Sequence, residues 1–123
     1  MKTLNIGRDF SLDPAGRFFS DEGDNGEKFR ENFLKPAIQA LKPDEKLHII
    51  LDDGVESYGS SFLSEGFAGM VKYGYISSQN LLEKIVIDYS DADFEFYKNK
   101  IITYIKNSKF KEEEYKPTRS KES

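Results

Sequence analysis

Residues 47–75 read LHIILDDGVESYGSSFLSEGFAGMVKYGY. The first five, LHIIL, are almost continuously apolar and β-branched in the middle, which suits a strand covered on both faces of a parallel or mixed sheet. Asp52, Asp53 and Gly54 end it. Beyond this loop Phe62, Leu63, Gly66, Phe67, Met70 and Val71 recur at steps of three and four, the period of one buried helix face. A strand therefore feeds directly into a helix. In an open α/β sheet that junction lies outside the carboxyl end of a strand, where ligands and partners bind. Gly59 permits a tight backbone approach, and Ser60 or Ser61 can cap the helix by accepting a hydrogen bond from one of its orphan amides.

Toward the N-terminus, Leu4 and Ile6 alternate with Thr3 and Asn5, predicting a half-buried strand over residues 3–10. Pro14-Ala15-Gly16 turns it, and Arg17-Phe18-Phe19 is expected as the return arm of a hairpin. That hairpin would set Arg8 and Arg17 on neighbouring strands, either as an anion-binding pair or each neutralised by a nearby carboxylate such as Asp9, Asp13 or Asp21. Residues 20–26 are acidic but lack EF-hand spacing. Asp24-Asn25-Gly26-Glu27 reads instead as a capping box with Asp24 at the N-cap. It opens a helix from about residue 26 to residue 42 whose apolar face carries Phe29, Phe33, Leu34, Ala37, Ile38 and Leu41. Pro36 lies inside that pattern and predicts a kink or local break over residues 32–36.

Toward the C-terminus, Gly74 suits the end of the second helix, and residues 85–89 form a second buried strand. Ser90-Asp91-Ala92-Asp93 is a further capping box, followed by a helix with the stripe Phe94, Tyr97, Ile101, Tyr104 and Ile105. The expected architecture is an α/β domain, a small mixed sheet with helices in the order β-β-α-β-α-β-α. It occupies residues 1–108, and the charged tail 109–123, almost free of aliphatics, is expected to be disordered.

Composition removes several function classes. The 123 residues include no cysteine and one histidine, which excludes a disulfide framework, a thiol nucleophile, cysteine-ligated zinc and histidine-rich metal sites. A net charge of −4 argues against a general nucleic-acid footprint, which needs a basic surface. No apolar run approaches a membrane span and no signal-peptide core follows Met1, so a soluble cytoplasmic protein is expected. His48, inside the central strand, reads as a structural residue. Asp52 and Asp53 are vicinal on an extended chain and point to opposite sides, so neither a metal site nor an acid–base pair is expected there, and no cofactor is. No general base is visible beside either serine, so the chain is not expected to be an enzyme.

Four segments carry a resemblance. Gly7-Arg8-Asp9-Phe10, Pro14-Ala15-Gly16-Arg17-Phe18, Gly26-Glu27-x-Phe29-Arg30 and Tyr58-Gly59-Ser60-Ser61-Phe62-Leu63-x-Glu65-x-Phe67-x-Gly69 resemble, in order, the bacterial STAS-like family of unknown function. The layout is also distantly similar to the STAS domains of anti-sigma-factor antagonists. On their Asp-Ser-Ser-Gly pattern Ser60 takes the phosphoacceptor position and Ser61 follows it, while Gly59 stands in place of the aspartate and Phe62 in place of the second glycine. The resemblance implies a regulatory protein–protein interaction module switched by phosphorylation of Ser60 or Ser61. The docking surface would comprise Asp52, Asp53, Glu56, Tyr58, Gly59 and Glu65, and the partner would be a histidine-kinase-like ATPase. The alternative is a small-ligand or nucleotide-phosphate site built from Arg8, Arg17 and the serine amides. A homodimer through Phe18, Phe19, Tyr73 and Tyr75 is a further expectation.

Overall fold

The computed structural model describes residues 2–21 and 23–118. Strands β1 (Lys2–Asn5), β2 (Leu47–Ile50) and β3 (Ile85–Asp88) form a sheet in the order β1-β2-β3, parallel throughout. The register sets Leu4, Ile49 and Ile87 side by side, and with Leu47 and Ile85 they make one buried face. His48, Ile50, Val86 and Asp88 alternate onto the other face and are half-buried, with His48 Nδ1 2.9 Å from Asp88 Oδ2. Central β2 is thus fully covered on one face, not two as its apolar run predicts. Ile50 lies between Asn5 and Asp88, and cross-strand neighbours shelter it without a second layer.

Four helices complete the fold. Helix α1 begins as Gly26–Phe29, widens into a π-turn over Arg30–Leu34 and continues as Lys35–Gln39. The break predicted near Pro36 takes this form, since proline has no amide to donate to the preceding turn. Helix α2 repeats the device, with Ser60–Leu63, a π-turn over Ser64–Ala68, and Gly69–Lys72. Helix α3 (Ser78–Lys84), capped by Ser77, occupies a stretch for which the sequence predicts no helix, and α4 (Glu95–Asn107) follows a 3₁₀ turn at Ala92–Phe94. The core fills the space between sheet and helices, with Phe29 at the centre of an aromatic cluster, 5.4 Å from each of Phe10, Phe62 and Phe67.

Two expectations fail. The N-terminal hairpin is absent, so the sheet is not mixed and the opening β-β pair is not formed. After Asn5 the chain makes a single π-turn, Ile6–Phe10, and Asn5 accepts the Arg8 amide at 3.0 Å. Residues 17–19 lie in a turn in which the Asp21 carboxylate accepts the amides of Arg17 and Phe18, both at 2.9 Å. Those local bonds take the donors that a strand ladder would have used. The carbonyls of Gly16 and Arg17 instead accept the first amides of α1 from Gly26 and Glu27, at 3.0 and 2.9 Å.

The expected disorder of the tail does not hold for residues 109–118. The Lys111 and Glu113 amides donate to the Val71 and Lys72 carbonyls at the end of α2, each at 3.1 Å. Tyr115 and Thr118 donate to Glu27. Charge content suggested a solvated tail, but these residues supply donors that the folded body needs. Residues 119–123 lie outside the described residues. No helix among the described residues is long and apolar enough to cross a membrane.

Candidate functional site

Most of the motif residues lock α1 to α2. A Cβ on Gly26 would stand 2.8 Å from the Phe62 carbonyl oxygen and 2.9 Å from the Gly66 nitrogen, so the backbones approach as closely as glycine allows. Beside this crossing Arg30 is fully buried, and its Nη1 donates to Glu65 Oε2 at 2.8 Å and to the Glu65 carbonyl at 2.9 Å. Its Nε donates to Glu31 Oε2 at 2.8 Å, and the guanidinium lies against the rings of Tyr73 and Tyr115, 4.5 and 4.9 Å from their centroids. Gly69 makes room for it, since a Cβ there would sit 2.6 Å from Nη1. The two π-turns face each other, and the Arg30–Glu65 pair joins them.

Glu65 is therefore an interior residue, 1 % exposed, not part of a docking surface. Its remaining acceptor capacity is taken by the Tyr73 hydroxyl at 2.7 Å and Lys72 Nζ at 3.3 Å. Burial and the hydrogen bond to Glu65 push the Tyr73 phenol up to about 12. Tyr58 is likewise interior: its hydroxyl donates to the Leu51 carbonyl at 2.6 Å, its ring stacks on Phe62, and burial, then Asp52 and Tyr97, raises its pKa. Both side chains are buried.

What remains at the surface is the start of α2. Its N-cap is Gly59, and among the described residues no side chain accepts from its first amides, so neither Ser60 nor Ser61 acts as the expected cap. Both serines already lie inside the helix, one and two positions too late to cap it. Ser60 is exposed, whereas Ser61 is half-buried and accepts a hydrogen bond from Arg17 Nη2 at 3.4 Å. Gly59, Asp53 and Glu56 are exposed around it. Arg8 does not join Arg17; it pairs with Asp53 at 3.4 Å, where Asn5 also donates at 2.7 Å. Asp52 faces elsewhere and accepts the amides of Ser90 and Asp91, at 2.8 and 2.7 Å, ahead of α4. The structure thus brings together Arg17, Ser60 and Ser61 but separates Arg8, Asp52, Tyr58 and Glu65 from them. Among the described residues no group of three or more acidic or histidine side chains is placed to hold a metal ion.

Glu27 was assigned to a capping box, but Asn25 occupies the cap, accepting the Lys28 amide at 2.8 Å, and Glu27 turns inward and is fully buried. Its carboxylate accepts from the Phe19 amide (2.8 Å), the Tyr115 hydroxyl (2.6 Å), and the Thr118 hydroxyl (2.7 Å) and amide (3.1 Å). Burial alone would raise its pKa, yet these donors outweigh burial and hold it below the ordinary glutamate value of 4.5. A carboxyl whose folded pKa is depressed stabilises the fold above its unfolded pKa, and that stability is lost as pH falls through the folded value. Urea midpoints should accordingly drop below about pH 4.5. Tyr115→Phe should cost roughly 1.5–3 kcal/mol at pH 7, the worth of a hydrogen bond to a charged group, and should flatten that acid limb.

The fold around these residues agrees with one family comparison. The profile of the STAS-like domain of unknown function (DUF4325) matches residues 25–92, from the α1 cap to the turn before α4. Comparisons with curated proteins and with solved structures give no match. The matched span covers more than half of the chain and contains both halves of the Arg30–Glu65 lock together with the Ser60 helix start, and the chain belongs to this STAS-like family.

Proposed function

We propose that the chain is a non-enzymatic regulatory interaction module that docks a protein partner on the surface of Asp53, Glu56, Gly59, Ser60 and Ser61, and that phosphorylation of Ser60 ejects the partner. The observation that carries this reading is the exposed Ser60 in the first turn of a helix whose amides no side chain caps. A phosphoryl group would add about −1.5 to −2 charges there. The helix N-terminus would favour that charge by about 0.3–1 kcal/mol. A partner packed flush on the loop would instead meet a hydrated anion beside Asp53 and Glu56. Because α2 is fixed from inside by Arg30 and Glu65, the added charge acts on docking and leaves the fold intact. By similarity to the anti-sigma antagonists, the partner is a histidine-kinase-like ATPase.

Capture with wild type, Ser60→Ala and Ser60→Asp chains, read by mass spectrometry, tests the switch. A partner held by the first two should be lost from Ser60→Asp, whose thermal midpoint should stay within about 3 °C of wild type. Equal retention by all three would remove the switch. The 3.4 Å approach of Arg17 to Ser61 favours a second reading, in which the same amides hold a small phosphate-bearing ligand. A nucleotide at a hundred times its dissociation constant would then stabilise the chain by about 2.7 kcal/mol, and Arg17→Ala would abolish the effect.

A further inference from the structure

Residues 109–118 return along the body as a strap, held mainly by polar contacts. Residues 109–114, 116 and 117 are exposed, including Phe110 at 51 %. The fastening consists of the Lys111 and Glu113 amides on the end of α2, Tyr115 and Thr118 on Glu27, Tyr115 over Arg30, and the Ser20 amide donating to Thr118 Oγ1 at 3.0 Å. None of these contacts requires the strap and the groove to belong to the same chain.

The return itself carries a cost. Lys111 has φ of 58°, the left-handed region, and is the only described non-glycine residue with positive φ. It packs against Gly74, where a Cβ would collide with the lysine side chain. An L-residue is disfavoured in that conformation because its Cβ crowds the following carbonyl. Straightening Lys111 would relieve the strain and send residues 112–118 away from their own body, and the bonds from Tyr115 and Thr118 to Glu27 would be regained in the groove of a second copy. A strained hinge beside a short, separable segment is the arrangement that invites exchange between identical chains.

We propose that the groove over Glu27 and Arg30 is an interaction site for residues 115–118 of a second copy, giving a two-fold dimer in which each chain fastens its strap into the other. Of the aromatics expected at a homodimer interface, Phe18, Phe19, Tyr73 and Tyr75, this groove uses Tyr73, whose ring meets that of Tyr115 at 5.3 Å, while Tyr75 donates to Glu31 at 2.8 Å.

The sequence contains no cysteine, so single cysteines report contacts cleanly. Full-length Ser20→Cys and full-length Thr118→Cys chains are mixed at high concentration, equilibrated and oxidised. A disulfide-linked dimer of one chain of each kind is expected, and none when Asn99→Cys, on exposed α4 surface, replaces Ser20→Cys. Adding Lys111→Gly to the Thr118→Cys chain removes the left-handed penalty and should lower the linked dimer about tenfold. If a chain carrying both Ser20→Cys and Thr118→Cys links only within itself while the mixture yields no dimer, the strap stays in its own groove and the proposal is overturned. Absence of linkage in both samples means that the strap does not dock, which overturns it equally, as does a yield indifferent to Lys111→Gly.

Discussion

Arg30→Met is expected to remove about 3–5 kcal/mol of stability, the cost of breaking a buried ion pair by deleting one partner. Methionine fills the volume but leaves Glu65, 1 % exposed, with Tyr73 and partly exposed Lys72 as its remaining side-chain donors. It also strips Glu31 of its Nε donor and leaves the Tyr73 and Tyr115 rings without the cation that lies against both. Small domains have only about 5–15 kcal/mol in total, so the urea midpoint at pH 7 should fall by about a fifth or more. Arg30→Lys should recover little of this, because an ammonium cannot serve Glu31, the Glu65 carboxylate and the Glu65 carbonyl in one plane. A loss below about 1 kcal/mol for Arg30→Met would mean that the pair is not the lock described.

Gly26→Ala is the second large effect, expected to cost about 3 kcal/mol, the upper end of the overpacking range. The new methyl would meet the Phe62 carbonyl and the Gly66 nitrogen, which are backbone atoms and cannot rotate aside. Helices α1 and α2 would have to separate, loosening Phe29 from Phe62 and Phe67. Gly59→Ala is the internal contrast: nothing lies within 4 Å of its Cβ position and its φ is −77°. It should cost at most about 1 kcal/mol, from a weaker N-cap. Equal losses for the two substitutions, measured by denaturant titration, would contradict a close helix crossing at Gly26.

The elements that packing alone decides were legible in the sequence. The apolar run at residues 47–51, the three-and-four spacing of α2, the run at 85–88 and the stripe of α4 all reappear as buried faces. Features decided by particular side-chain hydrogen bonds were not. Asp21 turned the expected hairpin arm into a loop by accepting two amides that a strand would have used. Glu27 stood where a capping box places its glutamate, and nothing local shows that Tyr115 and Thr118, 88 and 91 residues away, supply its donors. Glu65 falls off the apolar stripe of its helix, whereas Arg30 sits on the stripe of its own, three and four residues before Phe33 and Leu34, as a charge among apolar residues.

A trace of the lock was nevertheless present. Gly66 and Gly69 sit one and four residues beyond Glu65, and Gly26 lies four before Arg30. Glycines on a helix face beside a charge mark a place where a second helix can close over that charge. The serines were misjudged for a smaller reason. Their type favours the N-cap, but the cap falls at Gly59, and Ser60, one position on, is exposed.

Helices α1 and α2 are locked from inside by Arg30 and Glu65, which fixes the start of α2. A double-mutant cycle at Arg30 and Glu65, using Arg30→Met, Glu65→Gln and the double variant in urea titrations at pH 7, tests this most directly. Coupling of about 2–3 kcal/mol is predicted, with the double variant losing far less than the sum of the single losses. Losses that add to within about 0.5 kcal/mol would show that the two residues act independently and would contradict the lock.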